Sequence, residues 1–328
     1  MCAVATKQQF CIDRHFSSAE ECSHIFDLLG CGYRWVQLSR GPLRGRLRID
    51  RQGSLILISV QANQALLVQG DRNQDWIPFT IEHSNNIAEH RHFGESLPVN
   101  ALGGFNTALK ESMYRTSPGG SHIGAVLIER ERVEQLSDLL DPSGRLLERL
   151  EYTNMATVSM ARHAKLKQLM DPPIWRGEDQ PRALPDELLE AMLFECLSLD
   201  VDSSLLPMRD NHRLELMREF VELSFQSSSE PMRLVEVCKA LYTTKTTLNV
   251  GCSEMFGVGP MSLMKQVRLQ QVHYVLCHQG LQRELNCTAV NDVACMYGFR
   301  SRNHFASDYR QMFDETPKQT LERSKSLV

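Results

Sequence analysis

Two stretches near the carboxyl end of the 328-residue chain share one pattern: VCKALYTTKTTLNVGCSEMFGVGP at residues 237–260 and VACMYGFRSRNHFASDYRQMFDETP at residues 293–317. In each stretch, three apolar residues recur at every fourth position, and a proline follows after the same interval. The two sets are Leu248, Cys252, Phe256 with Pro260, and Phe305, Tyr309, Phe313 with Pro317. A spacing of four places each set on one face of a helix, which we call the apolar stripe.

A short apolar segment and a turn precede each stripe, so each copy predicts a helix, a tight turn and a second helix. The stripe would pack the second helix against the first and leave the opposite face exposed. This is the arrangement of a helix-turn-helix unit, whose second helix enters the major groove of DNA. Two units on one chain would reach two successive turns of the duplex without a second subunit.

The second copy closely resembles the signature of the AraC/XylS family of transcription regulators. The resemblance rests on residues 294–305 (ACMYGFRSRNHF), on the residues Tyr309, Phe313, Thr316 and Pro317 that follow, and extends over residues 230–325. It implies a bacterial, sequence-specific DNA-binding protein in which a long helix joins the two units. Pro260 and residues 261–278 fit that helix, because proline suits a first helical turn. A fragment from Pro231 to Val328 is then expected to fold alone.

The resemblance places base contacts in the first turn of the second recognition helix, after Ser301 as N-cap. Arg302 can hold guanine through O6 and N7, and Asn303 can hold adenine through N6 and N7. His304 would contact a base edge or a phosphate. The alternative is a solvated helix start without any DNA contact.

The first recognition helix departs from the family pattern, because Val250 stands where a basic residue is common. Thr246 and Val250 would contact thymine methyl groups, and Asn249 would contact adenine. The expected phosphate contacts are Lys245, Arg300 and Arg310. Gly251 weakens this helix, and Tyr242 replaces the usual small residue of the turn.

Charge is distributed unevenly along the chain, whose formal net charge is -4. Residues 230–328 hold 12 Lys and Arg against 9 Asp and Glu, a net charge of +3, which leaves -7 for the remainder. This modest basic excess predicts an affinity for DNA that depends on base contacts and on a second subunit more than on bulk charge.

The ten cysteines form no CxxC pair, and no run of eighteen apolar residues occurs. The cysteines are therefore expected to be reduced thiols in a cytoplasmic protein without a membrane span. No catalytic fingerprint is present, so neither an enzyme activity nor a cofactor is expected.

The first 130 residues carry short aliphatic runs typical of a β-barrel or β-sandwich, with helices expected at residues 18–29 and 107–114. The predicted class is α+β. We expect a β-rich, cupin-like sensory domain at residues 1–130, a helical connector at 131–229, and an all-α DNA-binding domain at 230–328. The leucines of the connector would form core or a homodimer surface. A small-molecule effector and RNA polymerase are further expected partners.

A different class of protein stays open, namely a cupin-like metal-dependent enzyme with a helical appendage. His90, His92 and Glu95 suggest it, but the glutamate follows the histidines too soon for that motif, and a polar loop explains these residues without metal. An arginine cluster would form either an anion site or a solvated strand face; its members are Arg40, Arg44, Arg46, Arg48 and Arg51.

Overall fold

The computed structural model describes residues 11–52, 54–170, 186–197, 204–207, 213–287 and 289–326. Strands dominate the amino-terminal part and helices the carboxyl-terminal part, so the predicted α+β class is confirmed. No helix in these ranges is both long enough and apolar enough to cross a bilayer.

The strands are β1 Cys11–Phe16, β2 Gly32–Gln37, β3 Gly45–Gln52, β4 Leu55–Ala62, β5 Leu66–Asp71, β6 Trp76–Glu82, β7 Arg91–His92, β8 Glu95–Ser96, β9 Ala101–Gly103, β10 Glu111–Arg115, β11 Ser121–Glu129, β12 Thr153–Thr157 and β13 Ser204–Pro207. The helices are α1 Ala19–Asp27, α2 Arg130–Leu140, α3 Arg145–Tyr152, α4 Met160–Met170, α5 Asp186–Glu195, α6 Leu214–Gln226, α7 Leu234–Ala240, α8 Lys245–Phe256, α9 Pro260–Cys277, α10 Gln279–Glu284, α11 Val290–Met296, α12 Arg302–Phe313 and α13 Pro317–Ser326.

Two antiparallel sheets form the amino-terminal domain. The larger has the order β1-β3-β4-β11-β6-β9-β12-β13 and the smaller β2-β5-β10-β7-β8. One face of the larger sheet packs on the smaller sheet through residues such as Ile58 and Trp35. Its other face packs on helices α2 to α5 through Phe79 and Leu193. Strand β4 is therefore apolar on both faces, which explains its continuous run of aliphatic residues.

Two expectations for this half of the chain are corrected. The helix expected at residues 107–114 is wrong, because Glu111–Arg115 is strand β10, whose backbone pairs with β5 and β7 instead of with itself. The connector expected to be helical also supplies β12 and β13 to the larger sheet. Helix α1 lies within the predicted residues 18–29 and is confirmed.

The arginine cluster is not one uniform surface. Arg46 donates to both carboxylate oxygens of Asp13, at 2.7 and 2.6 Å. Arg48 is completely buried, and the guanidinium of Arg51 lies 5.5 Å from the centre of the Trp76 ring. Arg46 is thus paired and Arg48 buried, whereas Arg40 and Arg44 are exposed and precede β3.

The carboxyl-terminal helices have two cores. The core of the second unit consists of residues from the helical domain alone, such as Val272, Phe305 and Tyr309. The core of the first unit also includes Phe220 of α6 and Leu67 of the smaller sheet. The first unit is therefore packed into the rest of the protein.

Candidate DNA-binding surface

Helices α7 and α8 form the first helix-turn-helix unit. The predicted apolar stripe of Leu248, Cys252 and Phe256 is buried along α8. Thr244 begins the helix, and its hydroxyl accepts a hydrogen bond from the Thr247 amide at 3.1 Å. The sequence predicted both this helix and its buried face.

The turn of the first unit holds Tyr242 in place of the expected small residue. Tyr242 has a φ of +48°, in the left-handed region that glycine tolerates best, and its side chain is 98% exposed. Gly298, in the turn of the second unit, also lies there, with a φ of +76°. An exposed aromatic side chain in a strained turn beside a recognition helix is a candidate contact residue.

Helices α11 and α12 form the second unit. The predicted stripe of Phe305, Tyr309 and Phe313 is buried, and the Tyr309 hydroxyl lies 2.8 Å from that of Thr320. Ser301 occupies the N-cap position as predicted, but its side chain makes no capping hydrogen bond. The Ser301 carbonyl accepts the hydrogen bond of the Phe305 amide at 3.0 Å, within the first turn of α12.

The residues expected to contact DNA all lie on the outer faces of the two units. They are Thr246, Asn249 and Val250 with Lys245 on α8, and Arg302, Asn303, His304 and Arg310 on α12 with Arg300 just before it. All nine are exposed in the full chain. The amino-terminal domain therefore leaves both faces open.

Two of these side chains already make hydrogen bonds within the protein. The Nε of Arg302 donates to Oδ1 of Asn291 at 2.8 Å, which links the start of α12 to α11. Sequence reasoning missed Asn291, although its place in the first turn of the preceding helix was a usable signal. The Nδ2 of Asn249 donates to the Lys245 carbonyl at 2.7 Å. The second hydrogen of that Nδ2 and the Oδ1 atom stay available for two hydrogen bonds to adenine.

Helix α9 joins the two units and begins with Pro260 in its first turn, as predicted. The Nζ of Lys265 lies 2.7 Å from Oδ1 of Asp308 on α12. The guanidinium of Arg268 lies 4.9 Å from the centre of the Phe299 ring, in the turn between α11 and α12. These contacts hold the second recognition helix against the linking helix.

The histidines considered as metal ligands have protein partners. His90 lies 2.9 Å from Glu82 through Nε2 and 2.7 Å from Ser117 through Nδ1. Nε2 of His92 lies 3.3 Å from the Asn154 amide, and burial lowers the pKa of His92 to about 3. Within the described ranges, no three His, Cys, Asp or Glu side chains come together as a metal site.

An apolar cavity of about 140 Å³ lies between the two sheets of the amino-terminal domain. Trp35, Ile58 and Leu127 contribute to its wall. Arg72, also in the wall, donates to the Ser112 hydroxyl at 2.8 Å and to the Gly104 carbonyl at 2.9 Å. Burial lowers the pKa of Arg72, against smaller effects of Tyr33 and Cys31.

Comparison with known proteins agrees with this geometry. The sequence model of a helix-turn-helix domain matches residues 237–323, which include α8 to α12 and all of α7 except its first three residues. These residues form an AraC-type helix-turn-helix domain. The regulatory protein HrpB of Ralstonia nicotianae is 30% identical over 88 residues, or 27% of this chain. The match spans only 18% of the length of HrpB.

Solved structures of AraC-family regulators are also similar to this chain. A probable AraC-family regulator from Rhodopseudomonas palustris is 28% identical, with 34% of this chain and 97% of that chain covered and a TM-score of 0.30. ToxT of Vibrio cholerae is 12% identical, with 96% and 98% covered and a TM-score of 0.32.

Proposed function

We propose that this chain is a sequence-specific transcription regulator that recognises two adjacent major-groove segments of one operator. The observation that supports this most strongly is the pair of helix-turn-helix units on one chain, each with its outer face exposed. Helix α9 has 18 residues, so at 1.5 Å per residue it is about 27 Å long. That length is comparable with the roughly 34 Å of one duplex turn.

We assign direct base recognition in the second unit to Arg302 and Asn303. Both lie in the first turn of α12, the part of a recognition helix that contacts base edges. Arg302 would bind guanine, and its hydrogen bond to Asn291 would limit its rotamers before DNA arrives. Asn303 would bind adenine, and His304 would contact a base edge or phosphate.

We assign a weaker base preference to the first unit. Thr246 and Val250 would contact thymine methyl groups, while Asn249 would bind adenine through its second Nδ2 hydrogen and its Oδ1 atom. Lys245, Arg300 and Arg310 would contact phosphates and set the position of the protein on the duplex. We add Tyr242 to the candidate backbone contacts, because its exposed hydroxyl lies in the turn before α8.

We also propose three further partners, namely a small-molecule effector, a second copy of the chain and RNA polymerase. The apolar cavity has a volume of about 140 Å³, close to the roughly 150 Å³ of an apolar cavity that binds benzene in another protein. A small apolar effector would therefore fit. Leu139 and Leu140 of α2 are exposed and suit a homodimer contact, which sedimentation of the purified chain would test. RNA polymerase is the partner that a transcription regulator of this kind would contact. We propose no catalytic activity.

Selection of bound sequences from a pool of random duplexes tests the proposed function. The full chain should enrich one motif at physiological salt, and the double variant R302A/N303A should lose part of that motif. Equal recovery of all sequences by the full chain would contradict sequence-specific recognition.

A further inference from the structure

One arginine lies in the wall of the apolar cavity inside the amino-terminal domain. Rings and aliphatic side chains form most of this wall, and Trp35, Ile58 and Leu127 are examples. Among the described residues that line the cavity, Arg72 and Glu82 are the two that carry charge at neutral pH. Only 6% of the Arg72 surface is exposed. A cation in such apolar surroundings needs hydrogen bonds and a counter-charge.

The hydrogen bonds of Arg72 all go to neutral groups. Its Nε donates to the Ser112 hydroxyl at 2.8 Å, and its Nη1 donates to the carbonyls of Gly104 and Asn106 at 2.9 and 3.4 Å. Its third nitrogen, Nη2, donates to no described residue and keeps some accessible surface. A ligand in the cavity can therefore contact Nη2 directly.

The carboxylate of Glu82 is bound to groups other than Arg72. Its Oε1 accepts from the backbone N–H groups of Ser84 and His122 at 2.9 and 2.8 Å, and its Oε2 lies 2.9 Å from Nε2 of His90. Arg72 is thus left without an acidic partner among the described residues. A buried cation without a counter-ion destabilises the folded state, because apolar surroundings solvate charge poorly. An anion in the cavity would remove this destabilisation.

Two further hydrogen-bond donors lie in the same wall. The Tyr114 hydroxyl keeps accessible surface and has no hydrogen-bond partner among the described residues. Nε2 of His92 lies 3.3 Å from the Asn154 amide, which donates to it, so the proton of this neutral imidazole is on Nδ1. The rings of His92 and Tyr114 lie 5.7 Å apart, and the charge of Arg72 adds to burial in lowering the His92 pKa. The three donors therefore lie near one another.

The remaining wall and the volume of the cavity define the rest of the ligand. Trp35, Ile58 and Leu127 would enclose a hydrocarbon body, and about 140 Å³ leaves room for roughly one six-membered ring. The planar guanidinium of Arg72 matches the geometry of a carboxylate. A carboxylate carries one negative charge, which one arginine balances, whereas a phosphate monoester carries about two.

We propose that this cavity binds a compact organic carboxylate. Its oxygens accept hydrogen bonds from Nη2 of Arg72 and from the Tyr114 hydroxyl, and its hydrocarbon body contacts Trp35 and Leu127. The proposal rests on the effector site proposed above and adds a negative charge to that effector. Its test needs no DNA, so failure of this proposal would leave the proposed recognition of an operator untouched.

The smaller sheet separates the cavity from the first helix-turn-helix unit. On β10, Ser112 and Tyr114 line the cavity, whereas Met113 on the other face belongs to the core of the first unit. Arg115 also lies on that other face, and a Cβ at Gly257, which ends α8, would lie 2.3 Å from its Nη1. A bound carboxylate therefore lies one strand away from the end of the first recognition helix.

Isothermal titration calorimetry of the full chain tests the proposal with two acids, cyclohexanecarboxylate and hexanoate, each compared with its neutral amide. At pH 7 and 150 mM NaCl, at least one acid should bind with one-to-one stoichiometry and at least tenfold more tightly than its amide. A carboxylic acid with a pKa of about 4 to 5 is already ionised at pH 7. Its affinity should therefore stay constant between pH 6.5 and pH 8.

Three variants locate the bound acid. R72Q removes the charge, so it should weaken binding of the acid at least tenfold and change binding of the amide much less; a loss of fold would weaken both. A125L narrows the cavity and should weaken both. The control variant R34Q removes the same charge from the opposite face of β2, where Arg34 lies 5.4 Å from the Phe225 ring centre, and should bind the acid as the unsubstituted chain does.

Four results would overturn the proposal. Equal affinity of the unsubstituted chain for acid and amide would keep an apolar effector and exclude the anionic class. Absence of binding by both acids would exclude the site, and equal weakening by R34Q and R72Q would indicate nonspecific attraction to positive charge. An affinity that falls about tenfold per pH unit would show that the acid binds in its neutral form, without an ion pair to Arg72.

Discussion

Arg302 and Lys245 are exposed cations for which we propose different tasks. Arg302→Ala should cost about 1–3 kcal/mol of binding free energy and relax the preference at one base pair, because a bidentate contact to guanine is lost. Lys245→Ala should weaken binding to all sequences alike and reduce the salt slope by about one, because only a phosphate contact is lost.

Affinities for duplexes substituted at each position, measured at several salt concentrations, separate these effects. Asn291→Ala should produce a smaller loss at the same base pair as Arg302→Ala, since Asn291 only orients that arginine. A uniform loss with unchanged preference in the Arg302 variant would assign Arg302 to phosphate contact.

Glu315 makes the stability of the second unit depend on pH. Burial raises the pKa of Glu315, but the nearby His273 imidazole and the hydrogen bonds from Arg323 and Thr320 outweigh it and lower the pKa to about 2. The folded-state pKa lies below the unfolded value of 4.5, so the stabilisation is fully present above pH 4.5 and is lost as pH falls toward 2. Glu315→Gln should reduce the unfolding free energy by up to about 3 kcal/mol at pH 7.

Urea denaturation of the full chain between pH 7 and pH 3 tests this prediction. The difference between the Glu315→Gln variant and the unsubstituted chain should shrink by more than half between pH 5 and pH 3. Glu322→Gln is the matched control, because its contact with Lys318 is exposed and should contribute little. A difference that does not change with pH would contradict the low pKa of Glu315.

Elements whose contacts are local in sequence could be predicted, and those formed by distant partners could not. The stripe on α12 needs only neighbouring helices to bury it, so its spacing was sufficient evidence. Residues 107–114 looked helical because nothing local shows that β10 pairs with β5, about forty residues earlier. Gly251 looked like a defect of α8, but a Cβ there would lie 2.8 Å from the buried Met217 of α6.

Helix α6 changes the expectation for an isolated DNA-binding fragment. Met217, Phe220 and Val221 of α6 are fully buried in the core of the first unit. A fragment of residues 213–328 should therefore be more stable than one of residues 231–328, which lacks this cover. Thermal melts followed by circular dichroism measure the difference.

A variant separates the packing of α6 from the effect of added chain length. Phe220→Ala in the longer fragment should lower its unfolding free energy by about 3–5 kcal/mol. The surface variant Glu219→Gln serves as the control for substitution in the same helix. Equal stability of the two fragments would mean that α7, α8 and α9 form a sufficient core by themselves.

In the whole molecule, the amino-terminal domain contacts both the helix that joins the two units and the second unit. The backbone N–H of Gln37 donates to Oε1 of Gln270 on α9 at 2.7 Å. The backbone N–H of Gly41 donates to the Met312 carbonyl on α12 at 2.8 Å. These partners are more than two hundred residues apart, so no sequence pattern indicated them. The candidate contact residues could be named from the sequence one by one and stay predictions, whereas the contacts between the domains exist only after the domains pack together.

We expect the two recognition helices to lie in successive major-groove segments on one face of a duplex. Hydroxyl-radical footprinting and base-interference mapping of the full chain on a selected duplex test it most directly. We predict two protected major-groove segments on the same face, with centres about 10 base pairs apart, and a sharper base preference in the segment facing Arg302. Protection of a single groove segment, or a sharper preference on the side of Thr246 and Val250, would rule out this arrangement of the two units.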